Sequence, residues 1–124
     1  YGTKDYAFLE EMIRQKAKED GHEIEIFQSN HEGALIDRIQ EAYFDRTEGI
    51  VINPGAYTHY SYAIADAIKS VDIPFVEVHF SDINSREDFR KISVTKPSCA
   101  AQICGMGEDG YKKALDMIAS GEVK

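Results

Sequence analysis

The sequence predicts an α/β fold in which a parallel sheet lies between layers of helices. Short apolar strands alternate with amphipathic helical stretches along the chain, and this alternation is typical of such folds. Residues 49–53 are a continuously apolar, β-branched run, as expected of a strand that is covered on both faces. With 124 residues, the chain has room for one compact core. We therefore expect residues 1–124 to form a single domain.

The N-terminal third is predicted to hold two helices and one strand. Asp5 is a favourable N-cap for the first helix, and Gly21 is suited to end it. Residues 23–27 alternate polar and apolar side chains, which predicts a strand with one wetter face and therefore an edge strand. Helical spacing returns from Gly33 to about Ala42.

The rest of the chain continues the alternation. The strand at residues 49–53 ends in an Asn-Pro-Gly turn, and a further strand is predicted at residues 75–79. Thr58 can cap a helix between these two strands. Residues 86–90 suggest one short helical turn. The last elements are a strand at residues 100–104 and a helix over about residues 109–118.

This order of elements predicts a flavodoxin-like sheet with right-handed crossovers. The first strand of such a sheet normally lies in its middle, whereas this chain opens at Tyr1 directly before a helix. An empty central position would leave two rows of backbone donors and acceptors unpaired. We therefore expect a first, central strand that is missing from this chain, and we favour omission over its supply by another chain.

The composition excludes several classes of partner. The formal net charge is −8 and no cluster of basic residues offsets it, so nucleic acid and anionic membranes are repelled. No apolar run approaches the roughly 20 residues that span a bilayer. We expect no nucleic-acid or membrane partner and, since no signal peptide is visible, a cytoplasmic protein.

The two cysteines and two of the arginines indicate little by themselves. Cys99 and Cys104 have no second pair with which to form a zinc site, so we expect them to be reduced and structural. An anionic ligand would have to be bound by a few donors, and Arg86, Arg90 or backbone amides near a helix start are the candidates.

The strand at residues 75–79 ends in the strongest candidate for acid–base chemistry. Ligands of open α/β sheets bind beyond the carboxyl ends of the strands. Alternation along the strand places Glu77, His79 and Ser81 on one face. A carboxylate that fixes one imidazole nitrogen leaves the other free to exchange a proton. A satisfied structural pair is an equally good interpretation, and spacing alone does not separate the two.

Other candidates follow neighbouring strands. Asn53 and its turn are suited to an oxyanion or carboxylate, although Asn-Pro-Gly is more often an ordinary turn. His59 is a candidate ligand contact or a solvated residue at a helix start. Asp66 lies on the polar face of the predicted third helix. Arg86 and Arg90 are four residues apart and would project together from a helical turn, either to bind an anion or to pair with nearby carboxylates.

The glycine-rich turn at residues 105–110 fits the pattern GxGxxG. The dinucleotide fingerprint belongs to an early βαβ unit with an acidic residue about 20 positions later, and only one helix remains here. We therefore attribute the glycines to tight packing between strand and helix, and keep a nucleotide-binding domain as a distant alternative.

Several long motifs resemble those of type II 3-dehydroquinate dehydratases. They are FQSNHEG at residues 27–33, INPGAYTH at residues 52–59, VEVHFS at residues 76–81 and REDFR at residues 86–90. The resemblance covers nearly the whole chain. It implies a lyase that dehydrates 3-dehydroquinate reversibly to 3-dehydroshikimate, by anti elimination through an enolate, without metal or cofactor. The implied setting is the shikimate or quinate pathway and aromatic amino acid biosynthesis, and the implied assembly is a dodecamer of trimers.

The resemblance also implies catalytic roles for four residues. His79 resembles the acid that protonates the departing hydroxyl, and Glu77 the group that orients it. Asn53 resembles the residue that serves the substrate carboxylate and the water that stabilises the enolate. Tyr1 matches the tyrosine base.

Binding residues are implied in the same way. The backbone of Phe80 and Ser81 resembles the rest of the carboxylate site, and Arg86 resembles a lid or site arginine. His59 and Arg90 resemble contacts to the ring hydroxyls, and Asp66 resembles the residue that reaches a neighbouring subunit's site.

Three features depart from the pattern of these enzymes. Asp82 stands where they usually have Asn, and both their lid arginine and their Asn-Gly-Pro-Asn-Leu-Asn stretch are missing from this chain. The alternative is therefore a catalytically inactive fragment or relative that only binds ligand or assembles.

Overall fold

The computed structural model describes residues 3–124, with side chains from residue 6 onward. The helices and strands are α1 (Thr3–Glu19), α2 (Glu32–Phe44), β1 (Ile50–Ile52), α3 (Tyr62–Ser70), β2 (Phe75–His79), β3 (Ala101–Cys104) and α4 (Asp109–Ala119). Short 3₁₀ turns occupy Gly55–His59, Ile83–Ser85, Asp88–Lys91 and Lys96–Ser98. Among the described residues, no helix is long and apolar enough to cross a membrane.

The three strands form a parallel sheet in the order β1-β2-β3. One face carries Phe75, which packs in a buried cluster with residues of α2 and α3. The other face carries Val76 and Val78, which pack against Ala114 of α4, and α1 lies beside α4. A parallel sheet between two helix layers confirms the predicted flavodoxin-like α/β class.

Two glycines allow α4 to approach the sheet closely. A Cβ on Gly49 would lie 2.3 Å from Cγ2 of Ile118, and a Cβ on Gly110 would lie 3.1 Å from Cγ1 of Val78. Both distances are shorter than ordinary carbon contacts of about 3.5–4.0 Å. The contact at Gly110 supports strand-to-helix packing as the role of the glycine-rich turn.

The predicted edge strand at residues 23–27 is wrong for the described part of the chain. Between α1 and α2 there is no strand, although Ile24 and Ile26 are half-buried while their neighbours are exposed. Alternating polar and apolar residues indicate which side chains are buried, but a β-strand also needs a neighbouring strand with which to form hydrogen bonds. None of the described strands pairs with this segment, because the described sheet ends at β1.

Two local predictions are also corrected. Thr58 does not cap α3, because it is buried within a 3₁₀ turn, and Ser61 accepts the capping hydrogen bond from the backbone N–H of Ile64 at 3.0 Å instead. Residues 86–90 are not one helical turn. Arg86 has an extended backbone between two 3₁₀ turns, so Arg86 and Arg90 do not project together from a helix.

Candidate active site

The end of β2 brings Glu77 and His79 together on one face of the sheet, as alternation along the strand predicts. Nε2 of His79 lies 2.8 Å from Oε2 of Glu77. Glu77 is fully buried and His79 is 7% exposed, so water competes little for this contact. Because Nε2 faces the carboxylate, Nδ1 is the ring nitrogen left for another partner.

Three further donors surround the Glu77 carboxylate. The hydroxyl of Thr95 donates to Oε1, and the hydroxyl of Ser93 donates to Oε2 at 2.9 Å. Nε2 of Gln102 donates to Oε2 at 2.5 Å. Sequence reasoning missed all three residues. Gln102 had a usable signal, since it is the one amide in an otherwise apolar strand and lies opposite Glu77 in the parallel register.

These contacts determine the charge of Glu77. Burial is the largest single influence and by itself raises the pKa of this carboxyl. Hydrogen bonds from His79, Thr95, Gln102 and Ser93 together outweigh burial and hold the pKa below its usual value. Glu77 is therefore ionised near neutral pH, and its carboxylate is bonded to Nε2 of the imidazole.

Asn53 is held from two sides beyond the end of β1. Its Oδ1 accepts from the backbone N–H of Gly55 at 3.0 Å, and its Nδ2 donates to the hydroxyl of Tyr111 at 2.9 Å. Tyr111 belongs to α4, and its ring also meets Phe80 edge to face, with the centroids 5.9 Å apart. Sequence analysis did not predict Tyr111 as a site residue. Its contacts with Asn53 and Phe80 link the segments that follow β1 and β2.

The backbone at the end of β2 is hydrogen-bonded to the glycine-rich turn at residues 105–110. The backbone N–H of Gly105 donates to the carbonyl of His79, and that of Gly107 donates to the carbonyl of Phe80, both at 3.2 Å. Arg86 donates to the hydroxyl of Ser81 at 3.1 Å. These contacts therefore fix the backbone of Phe80 and Ser81, which directly follow His79 in the chain.

His59 and Arg90 meet through Phe89. The His59 ring packs edge-on against Phe89, with centroids 6.0 Å apart, and the Arg90 guanidinium lies 4.8 Å from the Phe89 ring centre. Nδ1 of His59 is 2.7 Å from the carbonyl of Ile92. A carbonyl only accepts, so Nδ1 carries the proton and Nε2 is left for a ligand. Arg90 also pairs with Glu87 at 2.7 Å.

Two predicted site residues are not brought into this group. Asp66 is exposed on α3, and within residues 3–124 no hydrogen bond or ion pair joins it to the others. Tyr1, the predicted base, lies outside the described residues.

Cys99 and Cys104 are free thiols, as predicted. Burial, assisted by the charge of Glu77, raises the pKa of Cys99 to about 12, so this thiol is unreactive near neutral pH.

The fold and this site together define a class of protein. A buried carboxylate–imidazole pair at the carboxyl end of a parallel strand, followed by a segment that an arginine binds, is an arrangement suited to acid–base chemistry. The chain belongs to the dehydroquinase class II family, whose model matches residues 1–119.

Individual relatives agree with this assignment. The chain is 58% identical over 120 residues to a 3-dehydroquinate dehydratase of Lachnoclostridium phytofermentans, covering 97% of this chain and 83% of that protein. It is 58% identical over 118 residues to the 3-dehydroquinate dehydratase of Clostridium beijerinckii, covering 95% and 81%. The crystal structure of a type II dehydroquinase from Butyrivibrio crossotus superposes with a TM-score of 0.91 at 59% identity, covering 92% of this chain and 79% of that one.

Proposed function

We propose that this protein is a type II 3-dehydroquinate dehydratase, a hydro-lyase of the shikimate pathway that converts 3-dehydroquinate reversibly to 3-dehydroshikimate. Family membership and relatives of that name support the enzyme and not the catalytically inactive alternative. The observation in the structure that carries the proposal is the buried Glu77–His79 pair at the end of β2.

The reaction needs a base, an acid and a site for negative charge. A proton on the carbon beside the ketone becomes acidic only if the enolate oxygen is stabilised, and hydroxide leaves only when it is protonated. The electrons of the broken C–H bond first form the enolate. They then form the new carbon–carbon double bond as the hydroxyl departs as water.

His79 is the proposed acid for the second step. Glu77 holds Nε2, so Nδ1 is the nitrogen that delivers the proton to the departing hydroxyl. The carboxylate fixes the direction of the ring through its hydrogen bond with Nε2. After transfer the neutral imidazole keeps the same hydrogen bond, so the geometry is preserved for the reverse reaction.

The remaining roles surround this pair. Asn53, the backbone of Phe80 and Ser81, and Arg86 are proposed to bind the substrate carboxylate. Asn53 is also proposed to hold the water that stabilises the enolate. The fixed amide of Asn53 and the contact between Arg86 and Ser81 support this assignment.

The ring-hydroxyl contacts and the base complete the proposal. His59, with Nε2 available, and Arg90 are proposed to contact the ring hydroxyls. Tyr1 is proposed as the base, and Asp66 as the residue that reaches a neighbouring subunit's site.

A turnover assay tests the function directly. The purified protein is mixed with 3-dehydroquinate, and the ultraviolet absorbance of the conjugated product is followed. We expect the absorbance to rise and 3-dehydroshikimate to be identified by chromatography. Absence of product would contradict the proposal and favour a relative that only binds ligand.

Assembly and location are proposed from the same resemblance. We expect a cytoplasmic homo-oligomer of trimers assembled into a dodecamer. Native mass spectrometry measures the assembly, and a monomer at micromolar concentration would contradict it.

A further inference from the structure

The Glu77 carboxylate is saturated with hydrogen bonds. It accepts from His79, Ser93, Thr95 and Gln102, and a carboxylate offers about four lone-pair sites. A buried anion without such partners is costly, so it takes up a proton instead. The three donors other than His79 therefore decide whether the proton of the pair resides on the imidazole or on Glu77.

Two of these donors, Ser93 and Thr95, lie on one short segment, residues 92–95. Its side chains at positions 93 and 95 donate to Glu77, while its backbone bonds to the 3₁₀ turn Gly55–His59. The carbonyl of Ile92 accepts from His59, and the N–H of Val94 donates to the carbonyl of Thr58 at 2.8 Å. Ser93 is further fixed because its hydroxyl accepts from the backbone N–H of Lys96 at 3.0 Å. The segment therefore joins the proposed hydroxyl-binding His59 to the acid–base pair.

We propose that Ser93, Thr95 and Gln102 are positioning residues that keep Glu77 an oriented anion and thereby leave the acidic proton on His79. This inference rests on the proposed function. None of the three needs to touch the substrate. Loss of a donor makes it easier for the buried carboxylate to take the shared proton from Nε2, which leaves the imidazole neutral. A neutral imidazole is a far weaker acid at Nδ1, so protonation of the leaving group slows.

Among the described residues, other titratable groups also sense the charge of Glu77. The thiols of Cys99 and Cys104 do, and for both burial is the largest cause of a raised pKa, with Glu77 adding to it. Both thiols stay protonated near neutral pH. Asp82 and Lys96, which influence Cys104 with opposite signs, are exposed. The hydrogen-bond donors are therefore the main control on the pair.

Thr95→Val tests the inference because it removes the hydroxyl and keeps the shape of the side chain. Thr95→Ser keeps the hydroxyl and should restore the behaviour of the unmodified protein. Thr47→Val is the matched control, since Thr47 also donates to a carboxylate, that of Asp45 at 2.5 Å, but outside the site.

The first measurement is the titration of the Glu77 side-chain carboxyl by carbon-13 NMR, which needs no turnover. Thr95→Val should raise its midpoint by about one pH unit, the scale of one lost hydrogen bond to a charge. Thr95→Ser and Thr47→Val should leave it unchanged. An unmoved midpoint in Thr95→Val overturns the inference. If that variant does not fold, Gln102→Met is measured in the same way and judged by the same criterion.

The second measurement is the pH profile of turnover. In Thr95→Val the acidic limb of kcat should move to higher pH by about the same amount, so kcat should fall by up to about tenfold on that limb while KM changes less than twofold. An equal change in kcat and KM, or an unmoved limb, overturns the positioning role. If the unmodified protein makes no product while the NMR midpoint still moves, the positioning role stands and the proposed function fails.

Discussion

Removal of the Tyr111 hydroxyl should weaken catalysis by releasing the amide of Asn53. The Asn53 amide is fixed by two hydrogen bonds, one from the N–H of Gly55 and one to Tyr111. Tyr111→Phe deletes the second bond and keeps the aromatic ring beside Phe80. A net hydrogen bond contributes about 1 kcal/mol, which corresponds to roughly fivefold in rate. We expect kcat/KM to fall about fivefold, because Asn53 is then free to turn away from the carboxylate and the enolate water.

The assay is the ultraviolet measurement of product formation at several substrate concentrations, with unfolding followed in urea. Tyr62→Phe is the matched control, since Tyr62 is 70% exposed, and it should leave kcat/KM unchanged. A kcat/KM for Tyr111→Phe within twofold of that of the unmodified protein would contradict this role of Tyr111. A loss of kcat/KM that is matched by a comparable loss of folded protein under the assay conditions would contradict it as well.

Two further predictions concern stability. A methyl group on Gly49 would lie 2.3 Å from Ile118, so Gly49→Ala should lower the free energy of unfolding by about 1–3 kcal/mol. Gly33→Ala, with nothing within 4 Å of its added carbon, should not lower it, and equal urea midpoints for the two variants would refute this. Burial raises the pKa of Glu77 but its hydrogen bonds lower it further, so the ionised form stabilises the fold above an unfolded pKa of about 4.3, and that contribution is lost as the pH falls through the folded pKa. Glu77→Gln should therefore flatten the fall in unfolding free energy below about pH 5, and an unchanged slope would contradict the assignment.

Much of the fold could be predicted because its signals are local. The alternation of helices and strands gave the layers, and the period of two along β2 brought Glu77 to His79. The segment at residues 23–27 shows the limit of such signals. Its half-buried Ile24 and Ile26 follow the alternation, but pairing depends on a neighbouring strand, which is not a local property.

Residue types alone also did not decide two local structures, the N-cap of α3 and the backbone at residues 86–90, because these depend on tertiary packing. Thr58 and Ser61 are both good N-caps by residue type. Thr58 is buried within the 3₁₀ turn Gly55–His59, so the helix begins after Ser61. The spacing of Arg86 and Arg90 suited a helical turn, but extended backbone at Arg86 separates them.

Sequence patterns did not predict Tyr111 and Thr95 as site residues because their contacts are tertiary. Tyr111 lies 58 positions from Asn53, and Thr95 lies 18 positions from Glu77. No periodicity connects residues so far apart in sequence, and these contacts exist only once α4 and residues 92–95 have packed against the sheet. Gln102 was within reach of sequence reasoning, because a half-buried amide in an otherwise apolar strand is expected to have a hydrogen-bond partner.

Turnover by His79→Ala, compared with the exposed-histidine variant His22→Ala, tests the central claim most directly. If His79 delivers the proton to the departing hydroxyl, His79→Ala should reduce kcat by about 100-fold or more, in keeping with the loss of a general acid. His22→Ala should retain full activity. Unchanged turnover in folded His79→Ala protein would contradict the account.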